Sequence, residues 1–280
     1  MKADEIREIL KRHELVLHKD RGQNFLCDAA LADALVDAAG VEPDDVVIEV
    51  GTGLGVLTRA LAARARRVVT IEIDGGLVRA LAAEALLPDN VELLHQDALR
   101  VDWTGLVRRE AAVRVVANLP YSVSGPILRV LLDLRDRLRD WSVMLQRDVA
   151  ERIAAPPGGR DYGSLAVLHA LCVDVERVRD LGGGAFFPAP QVASRFVRIV
   201  PRPSAVLGDT SLRQVERVVR AAFGQRRKTL ANALRGGGLG SAAVLAEVCA
   251  RAGVDAGARA ETLAPEAFVA LTRSLAEWSA

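Results

Sequence analysis

The chain has 280 residues, half of them hydrophobic, and a formal net charge of +1 at pH 7. This length allows one large domain and a smaller one, each with its own core. No apolar stretch is long enough to span a membrane, and residues 1–11 form a charged amphipathic segment rather than a signal peptide. Three widely separated cysteines argue against a disulfide framework or a zinc site. We therefore expect a cytoplasmic protein with no metal and no membrane contact.

The first 150 residues alternate short apolar runs with helical patterns. Strands are predicted at 46–50, 67–73, 91–95, 113–117 and 141–145, and helices at 28–40, 56–64, 77–87 and 127–134. This alternation is typical of a parallel sheet covered on both faces. Runs at 172–179 and 194–200 predict an antiparallel hairpin at the sheet edge. Alternating Arg and Asp residues at 133–140 indicate a solvated helix end.

A different pattern follows Pro201-Arg202-Pro203, where helices are predicted at 212–223, 226–235, 242–252 and 265–275. We expect two domains, 1–202 and 203–280, the second small and all-helical. Residues 201–280 contain 11 Lys and Arg against 7 Asp and Glu. Arg226, Arg227 and Lys228 form a basic cluster at a predicted helix start, where positive charge opposes the helix dipole. Phosphate contact explains this cluster, and a solvated charge run is the alternative.

A glycine-rich segment ends the first predicted strand and opens a helix. It reads Glu49-Val50-Gly51-Thr52-Gly53-Leu54-Gly55. Glycines there allow a sharp turn and a close approach to a ligand. In the dinucleotide pattern the third glycine would fall on Val56, which argues against NAD.

Two more carboxylates end the next two predicted strands. Glu72 could accept both hydroxyls of a ribose, and Asp97 could accept from an adenine amine. Together with Glu49 they would repel a pyrophosphate and attract a cation. S-adenosylmethionine carries a sulfonium and an ammonium and has no phosphate, so it suits such a crevice. The alternative is that Asp97 caps a helix and Glu72 is a solvated strand end.

The apolar run at 113–117 ends in Asn118-Leu119-Pro120-Tyr121. The Asn118 amide offers both a donor and an acceptor, Pro120 stiffens the turn, and Tyr121 adds a flat π-face. These groups could hold an amino-bearing base in one orientation. An ordinary strand end followed by a turn is the alternative.

These motifs, with three others, resemble the rRNA adenine N6,N6-dimethyltransferases. Matching segments occur in the family's order at 23–26, 49–55, 72, 97, 118–121, 186–190 and 223–230. The resemblance covers residues 18–275 and is greatest to the bacterial small-subunit branch. It implies a Rossmann-like, S-adenosylmethionine-dependent methyltransferase sheet in residues 1–202 and an RNA-binding helical domain in 203–280. It also implies dimethylation of two adjacent adenosines near the 3′ end of 16S rRNA in the immature small subunit. We expect a monomer.

The resemblance also implies roles for single residues. The residues expected to bind the cofactor are Asn24, Leu26, Gly51, Gly53, Glu72, Asp97 and Asn118. Those expected to hold and orient the target adenine are Asn118, Leu119, Tyr121 and Phe186, with Phe187 as an alternative stacking residue and hairpin packing as an alternative role for Phe186. Phosphate contacts are expected from Arg226, Arg227 and Lys228.

Three positions depart from the family's pattern. Thr52 replaces a usual Pro, which should matter little. Gln191 and Ala193 stand where a Lys and an Asp are usual, which puts in doubt an RNA contact or a loop-bracing role there.

Three other functions remain open at this stage. A 23S rRNA methyltransferase conferring macrolide resistance would share the chemistry, although the segment 225–228 favours the small-subunit branch. A ribosome-assembly factor could act mainly by binding. A nicotinamide oxidoreductase is disfavoured by Val56.

Overall fold

The computed structural model describes residues 1–17, 23–108, 110, 113–203, 206–225 and 227–279. The strands are β1 (Phe25–Leu26), β2 (Val46–Val50), β3 (Arg67–Glu72), β4 (Val91–His95), β5 (Val113–Asn118), β6 (Leu138–Gln146), β7 (Val173–Leu181), β8 (Phe186–Phe187) and β9 (Ser194–Pro201). The α-helices are α1 (Ala3–Arg12), α2 (Ala29–Ala39), α3 (Val56–Ala62), α4 (Gly75–Ala83), α5 (Trp103–Arg108), α6 (Ser124–Asp133), α7 (Arg147–Ile153), α8 (Ser164–Cys172), α9 (Leu212–Phe223), α10 (Leu230–Gly236), α11 (Ala242–Arg251) and α12 (Pro265–Ser279). Within these ranges every helix is too short or too polar to cross a bilayer.

Seven strands form one mixed sheet in the order β4-β3-β2-β5-β6-β9-β7. Strands β2 to β6 pair in parallel, and β9 pairs antiparallel with β6. All five residues of β2 are buried, as expected for an apolar run covered on both faces. This confirms the predicted parallel sheet with its edge hairpin. The chain order reverses between β2 and β5, and such a switch point opens a crevice at the carboxyl ends of the strands.

The ends of helix α2 are formed by residue types that commonly begin and end helices. The Asp28 side chain caps it by accepting hydrogen bonds from the main-chain N–H groups of Ala30 and Leu31. Gly40 ends it in the left-handed conformation, with φ of 66°. Between these ends, Leu35 and Val36 pack into the core beneath the sheet. Asp28 and Gly40 are also the two ends of the helix predicted at 28–40, which is confirmed.

A second, two-stranded sheet joins distant parts of the chain. Strand β1 pairs antiparallel with β8, so that Phe25 lies opposite Phe187 and Leu26 opposite Phe186. Helix α1 covers this pair, with Ile6 in the same apolar cluster as Phe25. Neither strand was predicted, because two-residue strands leave no periodic pattern.

A buried ionic cluster lies at the amino ends of the central strands. Arg114 is 1% exposed and donates from Nε to Asp45 Oδ2 over 2.6 Å and from Nη1 to Asp140. Arg198 on β9 donates to the same Asp140 oxygen over 2.7 Å. The prediction of a solvated helix end at 133–140 is therefore wrong at Asp140. The strand already begins at Leu138, and Asp140 is buried by two arginines from neighbouring strands.

The chain divides into two compact units, residues 1–147 with 176–201, and residues 148–175 with 202–280. In the second unit, the Phe223 ring stacks on Phe268 and meets Tyr162 edge-on, with centroids 5.8 and 5.9 Å apart. The Tyr162 hydroxyl donates to the Leu263 carbonyl over 2.8 Å. Segment 148–175, which the sequence analysis assigned to the first domain, therefore groups with the C-terminal helices. The boundary between 202 and 203 stays a prediction.

Replacing Arg114 by Met should destabilise the first unit by about 3–5 kcal/mol, because the buried carboxylates of Asp45 and Asp140 lose a shared counter-charge. Chemical denaturation measures this free energy. The control is Glu92→Gln, which removes an exposed partner of Arg67 and should cost less than about 1 kcal/mol. Equal stabilities of the two variants would contradict a structural role for the cluster.

Candidate active site

A cavity of about 210 Å³ opens at the carboxyl ends of β2, β3, β4 and β5. The residues predicted to bind a cofactor all line it: Asn24, Leu26, Gly51, Gly53, Glu72, Asp97 and Asn118. Leu119 and Tyr121, predicted to hold the base, line it as well. Among the described lining residues there is no Lys or Arg. A phosphate would therefore find carboxylates and no cationic side chain here, which disfavours a dinucleotide.

The glycine-rich turn after β2 forms one wall. Gly51 and Gly53 have φ of 83° and 57°, a region that side chains with a Cβ rarely adopt. A Cβ on Gly53 would lie 2.8 Å from the Phe25 ring, so β1 packs directly on this turn. The Gly53 N–H donates to Glu72 Oε2 over 3.0 Å. The turn is thus held between β1 and the end of β3.

Glu72 is fixed on both of its oxygens. Oε1 accepts from the Asp74 N–H over 2.9 Å, while Oε2 accepts from Gly53. The side chain is buried, and this burial raises the pKa of Glu72, against the effect of the N–H donors. Glu72 is therefore a rigid, buried acceptor rather than a solvated strand end.

Glu49 is almost completely buried at the end of β2. Its Oε2 accepts from the Thr58 hydroxyl over 2.6 Å and from the Thr70 hydroxyl over 2.7 Å. Burial raises the pKa of Glu49 to about 8, although both hydroxyls act in the opposite direction. At neutral pH this carboxyl is mostly protonated, so the crevice is less negative than three ionised carboxylates would make it.

Asp97 does not cap a helix, because residues 98–100 form a turn and α5 begins only at Trp103. Its Oδ1 accepts from the Leu99 N–H over 2.9 Å, as in an Asx turn. Its Oδ2 lies 3.6 Å from Arg100 Nε, and about a third of the side chain is exposed. The same residue lines the cavity.

Asn118, the last residue of β5, is oriented by a hydrogen bond from its side-chain amide. Its Nδ2 donates to the Asn24 carbonyl over 2.8 Å. Because a carbonyl can only accept, this contact assigns the nitrogen of the amide. Oδ1 is then the atom that can accept from a ligand amine.

The Tyr121 side chain is held in place by its hydroxyl group. Its hydroxyl oxygen lies 2.5 Å from Ser194 Oγ. Burial raises the pKa of Tyr121, so the phenol stays neutral at physiological pH. No sequence pattern indicated this contact, because the two residues are 73 positions apart.

Phe186 is not brought together with these groups. It is 4% exposed, belongs to a core cluster with Leu26, Met144 and Phe196, and is not among the described residues lining the cavity. A ring buried in this way has no free face for a base, so this conformation gives no support to its predicted stacking role. Phe187, the alternative, lies beneath the guanidinium of Arg7, which is 5.2 Å from the ring centroid.

The basic cluster precedes a helix rather than opening it. Arg226 lies outside the described residues, and Arg227 and Lys228 are exposed. Helix α10 begins at Leu230 after the N-cap Thr229, later than the predicted start at 226. Thr is a favourable N-cap residue. Arg227 and Lys228 lie before the first turn of the helix, so they avoid the position at which the helix dipole would oppose a positive charge.

The sheet order, the glycine-rich turn and the acidic cavity define a Rossmann-like methyltransferase. The chain matches the model of the ribosomal RNA adenine dimethylase family over residues 15–277 and belongs to that family. It is 41% identical to the ribosomal RNA small subunit methyltransferase A of Geobacillus kaustophilus, over 96% of this chain and 94% of that one. It is 43% identical to the protein of that name from Anaeromyxobacter sp. strain K, over 96% and 97%. A crystal structure of a Plasmodium falciparum dimethyladenosine transferase has the same fold, with a TM-score of 0.71, 24% identity, and 88% and 95% coverage.

The protein is an enzyme of this family, and its methyl donor is S-adenosylmethionine. The cavity fits that cofactor because its lining combines buried carboxylates with a glycine turn and, among the described residues, offers no cation for a phosphate. Glu72 and Asp97 are the candidate acceptors for hydroxyl and amine groups, and Glu49 is the most completely buried of the three carboxylates.

The titration of Glu49 should make cofactor binding depend on pH. Below about pH 8 the carboxyl is neutral, and a cation binding beside it must expel the proton, so affinity should rise with pH up to about 8 and then level. Calorimetry on the wild type and Glu49→Gln measures this as a ratio of affinities. The cofactor's own amine loses its charge near the same pH, and its effect on affinity is the same for both proteins, so the ratio removes it. Below about pH 8, the ratio of wild-type affinity to Glu49→Gln affinity should increase with pH by up to about tenfold for each pH unit. A ratio independent of pH would contradict the assignment.

Proposed function

We propose that the protein methylates N6 of two adjacent adenosines near the 3′ end of 16S rRNA, using S-adenosylmethionine. In this proposal it acts as a monomer on the immature small subunit in the cytoplasm. The observation that carries the proposal is the Asn118 amide, which is anchored through its nitrogen and belongs to a residue lining a cavity suited to a cationic cofactor. The names of the curated relatives support the small subunit as the target, rather than 23S rRNA.

The target amine is a poor nucleophile, because its lone pair is delocalised into the purine ring. Asn118 Oδ1 and the Leu119 carbonyl would accept hydrogen bonds from its two N–H groups and favour a pyramidal nitrogen. Bound S-adenosylmethionine supplies an electrophilic methyl group. Most of the acceleration then comes from positioning, which can contribute several kcal/mol. No protein base is needed before transfer, since the methylated nitrogen becomes acidic and loses its proton to water.

Tyr121 is the proposed wall of the base site. A base must leave its helix or loop to reach this cleft, and stacking on an aromatic ring contributes about 1–3 kcal/mol. The neutral phenol and its fixed hydroxyl suit such a wall. A second wall formed by Phe186 would require that ring to leave the core.

The helical unit is the proposed RNA-binding part. Arg226, Arg227 and Lys228 are its candidate phosphate contacts, and two of them are exposed next to the N-cap of α10.

The substrate is tested by mass spectrometry of rRNA from cells that lack the protein. Both dimethyladenosines of 16S rRNA should be missing, return with the wild type, and stay missing with Asn118→Ala. That variant should fold but transfer methyl groups at least about 100-fold more slowly, because the amine loses its alignment. A missing modification in 23S rRNA would support the macrolide-resistance alternative. Full activity of Asn118→Ala would refute the role given to that residue, and binding to pre-ribosomes without any methyl transfer would favour an assembly factor.

Neutralising the basic cluster should weaken binding to RNA of any sequence by the same factor, because phosphate contacts do not distinguish bases. For the double variant Arg227→Ala/Lys228→Ala, the slope of log affinity against log salt should fall by about 2. Titration of the small-subunit RNA at several salt concentrations measures it, and cofactor affinity serves as the control. An unchanged slope would mean that the cluster is only a solvated charge run.

A further inference from the structure

Ser194 is a buried hydroxyl to which the proposed mechanism gives no role. It begins β9, where it lies opposite Gln146 of β6, and its side chain is inaccessible to solvent. Its Oγ is 2.5 Å from the Tyr121 hydroxyl. A buried hydroxyl is costly unless it is paired, so each of these two groups depends on the other.

The chain around Ser194 is held on both sides, by a main-chain hydrogen bond before it and by an ion pair after it. The Ala193 carbonyl accepts from the Arg147 N–H over 2.9 Å. On the other side, Arg195 Nη2 donates to Asp180 Oδ2 over 2.9 Å, which ties β9 to its neighbour β7. Ser194 Oγ is therefore a fixed point of the edge hairpin, and the Tyr121 hydroxyl is attached to it.

We propose that Ser194 is a positioning residue that acts through Tyr121, holding the ring as a fixed wall for the target base. The inference rests on the role proposed for Tyr121. The ring is restrained at one end by Pro120, which stiffens the backbone, and at the other by Ser194. Without the second restraint the ring can rotate, and the base loses a defined face.

The effect should be greater on the second methyl transfer than on the first. An unmodified amine has two N–H groups, one for Asn118 Oδ1 and one for the Leu119 carbonyl. After the first transfer, one N–H is replaced by a methyl group, so one of these hydrogen bonds is gone. The orientation of the monomethylated base then depends more on the Tyr121 ring. Loosening that ring should make monomethyladenosine accumulate.

A double-mutant cycle tests the proposal with Ser194→Ala, Tyr121→Phe and the combined variant. Both single changes remove the same hydrogen bond and keep the ring. Each should slow the second transfer about three- to tenfold and raise the proportion of monomethyladenosine, and the combined variant should be no slower than either. Single-turnover reactions on small-subunit RNA, analysed by mass spectrometry, give both rates. Cofactor affinity should be unchanged.

A spectroscopic measurement separates positioning from general stability. The sequence contains only two tyrosines, Tyr121 and Tyr162. Labelling with 3-fluorotyrosine therefore gives two ¹⁹F resonances, which Tyr162→Phe assigns. Ser194→Ala should shift the Tyr121 resonance and leave that of Tyr162 in place.

Each outcome has one meaning. Additive losses, an unchanged product ratio or an unshifted Tyr121 resonance would overturn the inference and leave Ser194 as a packing residue. If Ser194→Ala does not fold, Tyr121→Phe removes the same contact from the other side, and wild-type behaviour of that variant would also overturn it. Tyr121→Ala tests the proposed role of Tyr121 as a wall for the target base. If that variant methylates normally, this role is refuted, and not only the link between Tyr121 and Ser194.

Discussion

The hydrogen bond from Asn118 to the Asn24 carbonyl is the contact on which the site depends. It decides which atom of the amide can accept from a ligand, and it attaches the chain before β1 to the end of β5. The same stretch packs Phe25 against Gly53, whose N–H is bound by Glu72. Three strand ends and the N-terminal segment are thereby set in one arrangement. The main-chain carbonyl that orients Asn118 cannot be altered by a side-chain substitution, which makes this a stable way to fix a reactive geometry.

The electrostatics of the cavity differ from a simple count of carboxylates. The sequence indicated three negative charges, whereas burial keeps Glu49 mostly protonated at neutral pH. An empty site with three ionised carboxylates close together would carry a large desolvation and repulsion cost. Holding one of them neutral lowers that cost until a cation arrives to stabilise the charged form. Selection against phosphate then depends mainly on the absence of cationic side chains from the described lining residues.

The parts of the structure that could be predicted are those encoded by local patterns. Apolar runs located β2 and β4 to the residue, and Asp28 and Gly40 marked the ends of α2, because caps and turns depend on nearby residues. The motifs located most of the cavity lining. The Asn118–Asn24 and Tyr121–Ser194 contacts could not be predicted, since they join residues 94 and 73 positions apart. The prediction for Asp140 was wrong for a related reason. Its charge is balanced by Arg114 and Arg198 from neighbouring strands. The alternation of Arg and Asp along the chain does not show whether such a residue pairs across a sheet or lies in solvent.

The pairing of β1 with β8 has a consequence for how the protein is made. Leu26 meets Phe186 about 160 residues later in the chain, so the strand that supports the glycine turn finds its partner late in synthesis. Contacts of such long separation form slowly, because a large loop must close before they contribute any stability. A nascent chain that has released β2 to β6 from the ribosome already contains every described residue of the cavity lining, but not the partner strand of β1. The support for the glycine turn is therefore complete only after residue 187 of the 280 has been synthesised.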